Sequence, residues 1–178
     1  CTPGNAVNED TIIRYNVSVR DGINSARVFH FGGGARRTHV YNNTIIVGPR
    51  QDLPMLLFTE WDGGKAADTR FTNNLFVVED GGRATYQFGS SSGNVFENNL
   101  FCGKHEGLPQ DAKVSPAPKF AGTWKAAPGF DAAKTWRPIS ARDLPRGQMI
   151  ANNGGRDFFG KPLPKNGAPS IGAIEATR

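Results

Sequence analysis

The sequence predicts an all-β chain: parallel β-helix rungs, about four in number and joined by an asparagine ladder, closed by an irregular Pro-rich C-terminal segment. Three observations predict it. Four segments align without gaps and share an Asn, a second strand recurs between them, and helical periodicity is nearly absent before residue 110.

The aligned segments are Ile13-Arg14-Tyr15-Asn16-Val17-Ser18, Val40-Tyr41-Asn42-Asn43-Thr44-Ile45, Phe71-Thr72-Asn73-Asn74-Leu75-Phe76 and Phe96-Glu97-Asn98-Asn99-Leu100-Phe101. The shared Asn residues 16, 43, 74 and 99 lie 27, 31 and 25 residues apart, as expected of a fixed rung carrying loops of varying length. A coil that turns sharply once per rung needs a residue tolerant of left-handed backbone geometry. Asn meets that need, and its amide can bond the copies above and below. Asn16-Val17-Ser18 and Asn42-Asn43-Thr44 also read as glycosylation sequons. The ladder accounts for all four copies and glycosylation for only two, so the ladder is preferred. The second strand is Val28-Phe29-His30-Phe31-Gly32, matched by Thr85-Tyr86-Gln87-Phe88-Gly89, with Met55-Leu56-Leu57-Phe58-Thr59 between them. Gly, Asn and Asp bound these runs, as strand ends require.

A length of 178 residues suits one domain. Within it, residues 1–102 are expected to form the rungs and 103–178 a closing segment packed on them. The net charge of +5 favours a polyanionic partner. No run of residues is apolar for long enough to span a bilayer as a helix. Cys1 and Cys102 are too few for a disulfide framework or a metal-ligand spacing. Gly32-Gly33-Gly34 lies between strands rather than before a helix, which argues against a nucleotide site. No zinc, thiol or serine-nucleophile arrangement is evident.

The rungs resemble those of the right-handed parallel β-helix repeat family, the pectate-lyase-like superfamily. The run Asp157-Phe158-Phe159-Gly160-Lys161-Pro162-Leu163-Pro164, followed by Gly167-Ala168-Pro169-Ser170-Ile171-Gly172-Ala173-Ile174-Glu175, resembles the sequence with which many of its members end. The similarity covers residues 11–102 and 150–175. It implies a secreted protein, extracellular or periplasmic, acting on acidic polysaccharide as a lyase or hydrolase from outward-facing rung positions, often with Ca²⁺. Polysaccharide, rather than nucleic acid or membrane, is the expected partner. A non-catalytic adhesin, spike or glycan-binding scaffold is the rival expectation. Members usually have more rungs, so the chain is expected to be the C-terminal part of a larger protein, its first rung packing on upstream rungs or on another chain. Trp124, Phe130 and Trp136 are expected to cover the last rung's open cross-section.

Strand alternation assigns the chemistry to faces. With Ile13, Val40, Phe71 and Phe96 inward, one outward column holds Ile12, His39, Arg70 and Val95, and another holds Arg14, Tyr41, Thr72 and Glu97. His30 stacks outward with Leu57 and Gln87. Eliminative cleavage of a uronate needs a base for the proton beside the carboxylate and a cation for the developing anion. Arg70, His39 and Tyr41 are the candidates, with Arg14, His30, Arg36 and Arg37 gripping substrate. The long interruption from Thr59 to Asp68 adds Glu60 and Asp62 as a hydrolytic acid/base pair, or as Ca²⁺ ligands with Asp68. Trp61 and Lys65 would contact substrate there.

Overall fold

The computed structural model describes residues 7–21, 27–109, 112–118 and 144–176; Cys1 and the expected cover residues Trp124, Phe130 and Trp136 lie outside them. Twelve short strands and no helix occur among the described residues. Each rung contributes one strand to each of three parallel sheets. The first sheet stacks β1 (Ile12–Arg14), β4 (His39–Tyr41), β7 (Arg70–Thr72) and β10 (Val95–Glu97). The second stacks β2 (Val17–Val19), β5 (Thr44–Val47), β8 (Leu75–Val78) and β11 (Leu100–Cys102). The third stacks β3 (Phe29–Gly32), β6 (Asp52–Thr59), β9 (Arg83–Gln87) and β12 (His105–Glu106). The chain is a parallel β-helix whose rungs follow the aligned segments.

The register agrees with the strand alternation. Ile13, Val40, Phe71 and Phe96 are successive partners, flanked by the Ile12–His39–Arg70–Val95 and Arg14–Tyr41–Thr72–Glu97 columns. In the third sheet His30 pairs with Leu57, which pairs with Gln87. Inward aromatic residues therefore stack on their own counterparts: Phe71 on Phe96 at 4.5 Å, Phe76 on Phe101 at 5.1 Å and Phe31 on Phe58 at 5.0 Å between ring centroids. These rings, with Val40, Ile45, Val47, Leu53 and Met55, form the main apolar core.

The ladder forms at the bend between the first and second sheets. The side-chain Nδ2 of Asn16 donates to Asn43 Oδ1, that of Asn43 to Asn74 Oδ1, and that of Asn74 to Asn99 Oδ1, each at 2.9 Å. Each acceptor oxygen also takes the backbone N–H of the preceding ladder residue. Asn43 and Asn74 are fully buried, and so is Asn42, the acceptor of the second sequon, which closes that site to modification in the folded chain.

One expectation is corrected: the ladder residue is not the left-handed one. The residue before it is, with φ of 51° at Tyr15, 51° at Asn42, 55° at Asn73 and 51° at Asn98. The positive φ bends the chain between sheets, and the following Asn is thereby free to turn its amide into the stack. The Asn-Asn pairs divide the two tasks. A second bend recurs before the first sheet, where Glu9, Arg36, Ala67 and Ser92 form a parallel bridge column. The residues after them, Asp10, Arg37, Asp68 and Gly93, are again left-handed.

Capping of the fourth rung starts just beyond β12. Leu108 and Ala112 pack on the core, Val114 bridges Phe101 in parallel, and Ser115 N–H donates to Phe101 O at 2.7 Å. Nearby, His105 Nε2 lies 3.0 Å from the Cys102 carbonyl and Nδ1 lies 3.0 Å from the Tyr86 hydroxyl. A carbonyl can only accept, so Nε2 carries the proton and Tyr86 donates to Nδ1. The ring is neutral in that arrangement, in line with the depression of its pKa by burial.

Residues 144–176 run along the side of the coil, over the bend between the first two sheets. Leu144 and Ile171 pack on Ile46, Leu75, Val77, Leu100 and Cys102. The Asn42 amide donates to the carbonyls of Ser170 and Gly172, and Thr44 Oγ1 accepts the Ala173 N–H. Gly172, at φ 91°, approaches so closely that a Cβ would lie 2.7 Å from Thr44 Oγ1 and 3.2 Å from Leu75 Cβ. Two buried carboxylates organise the segment. Asp157 accepts the N–H groups of Phe159, Lys161 and Glu175, while Glu175 accepts the Ser170 N–H and pairs with Arg146. Packing of this segment beside the rungs explains why its sequence lacks their register.

Candidate functional site

Beside the first sheet's outer face lies a groove of about 410 Å³, lined by Ile12, His39, Tyr41, Arg70 and residues 148–152. The sheet supplies one wall because alternation turns His39 and Arg70 away from the core, as register neighbours on adjacent rungs. The closing segment supplies the other. Gly147 N–H donates to Pro169 O at 2.9 Å, while Gln148 exchanges bonds of 2.9 Å with the Asn73 amide through both its N–H and its carbonyl. A Cβ on Gly147 would drive into the Asn73 side chain, so glycine is required for this close approach. Met149, 66% exposed, and Ile12, 44% exposed, add apolar surface to a cleft that Ile150 and Ala151 also line.

His39 is half-buried, its ring centroid 4.6 Å from that of Tyr41 and its Nε2 3.1 Å from Thr72 Oγ1. Burial lowers its pKa, the Arg70 charge lowers it further, and Glu97 opposes them. The ring is therefore neutral near pH 7, with Nδ1 unpartnered among the described residues. Such a ring can accept a proton. Arg70 Nη1 lies 3.2 Å from Glu97 Oε2, and the same carboxylate oxygen accepts the Gln148 Nε2 at 3.1 Å.

Tyr41 and Thr72 project from the coil but are buried, Tyr41 being only 1% exposed. The Tyr41 hydroxyl donates to Asn152 O and accepts from Arg14 Nη1 at 3.0 Å. Arg14 also donates to Asn152 O at 2.8 Å. With its proton committed to a carbonyl and its oxygen to a guanidinium, Tyr41 shapes the floor and is not an available base. Arg14 likewise braces the far wall.

The other expected residues lie elsewhere. Arg37 is gripped by Glu9 and Asp10, both at 2.8 Å, while neighbouring Arg36 is exposed and its side chain has no partner among the described residues. His30 Nε2 lies 2.9 Å from Thr59 Oγ1 on the third sheet's outer face. Trp61, 62% exposed, starts a tight turn closed by reciprocal backbone bonds with Gly64, with Asp62 and Gly63 left-handed at its tip. Glu60 pairs with Lys65 at 3.5 Å, and its pKa is lowered first by a hydrogen bond with Ser90 and then by the Lys65 charge. A lowered pKa is the reverse of what a general acid needs. None of these residues lines the groove. Glu60, Asp62 and Asp68 do not converge as Ca²⁺ ligands, and among the described residues no three His, Cys, Asp or Glu side chains gather as a metal site.

A second cleft, of about 430 Å³, lies between the ends of the second and third sheets. Its charges are largely paired: Arg83 with Asp52 and Glu106, Lys104 with Glu106, and Arg20 with Glu79 at its edge.

The sequence reading missed Gln148, Met149, Ile150 and Asn152, which complete the groove from across the fold, and the pairing of Glu97 with Arg70. A signal for the pairing was present, since opposite charges on adjacent rungs two positions apart share a face and can meet diagonally. Comparison of the chain with models of known protein families, with curated proteins and with solved structures gives no match.

Proposed function

We propose that the chain is a secreted, carbohydrate-active β-helix protein of pectate-lyase-like type that takes an acidic polysaccharide into the first sheet's groove and cleaves it by elimination. The observation that carries this reading is the placement of a neutral His39 beside Arg70 in one cleft. Arg70 would neutralise a uronate carboxylate, which acidifies the adjacent C–H. His39 would take that proton, the electron pair would form the ring double bond, and the departing glycosidic oxygen would gain a proton from water. Hydrolysis is less well supported, because Glu60 and Asp62 do not line the groove and Glu97 is paired.

A non-catalytic glycan-binding scaffold is the second reading, favoured by the engagement of Arg70 with Glu97 and of Tyr41 with Asn152. Incubation with polygalacturonate and alginate, with and without Ca²⁺, separates the two. Elimination yields an ultraviolet-absorbing unsaturated product that His39→Gln abolishes. Saturable binding with neither that absorbance nor new reducing ends would leave the scaffold.

The proposal includes a partner for the first rung. Asn16 Oδ1 is the one ladder oxygen that accepts no hydrogen bond among the described residues, and inward-facing Ile13 is less buried than Val40 beneath it. Both features favour stacking against a further rung of the same protein or of another chain.

A further inference from the structure

The groove's cation already holds a carboxylate. Arg70 and Glu97 stand on adjacent rungs, two positions out of register and so on the same outward face, and their side chains meet at 3.2 Å while remaining 51% and 39% exposed. The same Glu97 oxygen has a second donor. Gln148 Nε2 donates to it at 3.1 Å, and Gln148 is itself held by Asn98 Nδ2 at 3.0 Å and by the Asn73 amide. All of the bonds recorded for this carboxylate go to Oε2.

Resting on the functional reading above, we infer that Glu97 is a resident carboxylate that occupies Arg70 in the empty groove and is displaced when a ligand carboxylate binds. It is thus a specificity-determining residue. An incoming monoanion must replace an attraction already present and also sits near the Glu97 charge. A polyanion can meet that demand with contacts at further sugars, whereas a single uronate cannot. The arrangement selects oligomeric acidic glycan over free uronate. Gln148 retains the displaced carboxylate, so the exchange does not leave Glu97 without a partner.

The experiment titrates the full chain and its Glu97→Gln variant with D-galacturonate and with a galacturonate oligomer, followed by NMR of the Arg70 and His39 side chains. Glutamine keeps a carbonyl oxygen for Gln148 and removes the charge. Release of an exposed ion pair corresponds to a gain of roughly two- to fivefold in monouronate affinity. The oligomer should gain less, and Arg70→Gln should lose binding in both backgrounds. The pKa of His39 should also fall further in Glu97→Gln, because the charge that raises it is gone. That titration reports only that the charge has been removed; a merely structural Glu97 would shift it as well but would leave the monouronate preference unmoved. If the wild-type chain binds uronate through Arg70 and Glu97→Gln binds monouronate no better, the displacement idea is overturned and the groove reading stands. If no variant binds uronate at all, both fall together.

Discussion

Replacing Asn74 by alanine tests the ladder at its centre. The Asn74 amide accepts the Asn43 N–H at 3.0 Å and Asn43 Nδ2 at 2.9 Å, and donates to Val40 O and Asn99 Oδ1, both at 2.9 Å. In Asn74→Ala the backbone N–H of Asn43 and the carbonyl of Val40 lose these partners inside a fully buried stack. Each such orphaned group costs about 1–3 kcal/mol, so the variant should lose roughly 3–5 kcal/mol once the small void is included. A typical domain has only about 5–15 kcal/mol in total. Asn16→Ala is the control: its side chain is exposed, it leaves the Asn16 N–H still bonded to Asn43 Oδ1, and it should lose about 1 kcal/mol. Urea unfolding of both variants measures the difference, and hydrogen exchange at the Asn43 amide locates it. Equal losses in the two variants, or an Asn74→Ala chain within about 1 kcal/mol of wild type, would refute the claim that the ladder's interior bonds hold the rungs in register.

Three further outcomes follow from the geometry. Gly172→Ala forces a side chain against Thr44 and Leu75 at a φ of 91°, so limited proteolysis should cut within 144–176 much sooner than in wild type while leaving the rungs intact. His39 and His105 both have pKa values lowered first by burial, so the folded state takes up protons less readily than the unfolded chain. Their stabilising contribution is present above the ordinary histidine value of about 6.5 and is lost as pH falls through the lower folded values, so urea midpoints should drop between about pH 7.5 and pH 5.5. Burial pushes the Cys102 thiol up to about 12, and mass spectrometry of alkylated protein should find Cys102 unmodified until denaturant is added.

The rungs were legible in the sequence because stacking repeats one chemical demand at every turn. Asn16, Asn43, Asn74 and Asn99 announce the column, and once they are aligned, alternation places His39 beside Arg70 with no further information. The left-handed residue was misplaced by one position because Asn satisfies both tasks at the bend, and only Tyr15, in the first copy, distinguishes them. The covering of Tyr41 was not legible. It depends on Asn152, 111 residues away, in a segment whose contacts with the coil follow no period. The turn at Trp61 suggested chemistry through its composition, yet it sits on another corner of the coil, a separation that composition cannot express.

The amide column also bears on how such a molecule can grow. Because every link points the same way, from lower to higher residue number, each rung offers its neighbours the same upper and lower seam. A tandem duplication of one whole repeat would therefore fit between existing rungs with both joints already complementary, and deletion of one would rejoin cleanly. A gain or loss of part of a repeat would break the column. Variation in length among proteins built on this plan should come in complete rungs, with irregular insertions confined to the loops between strands.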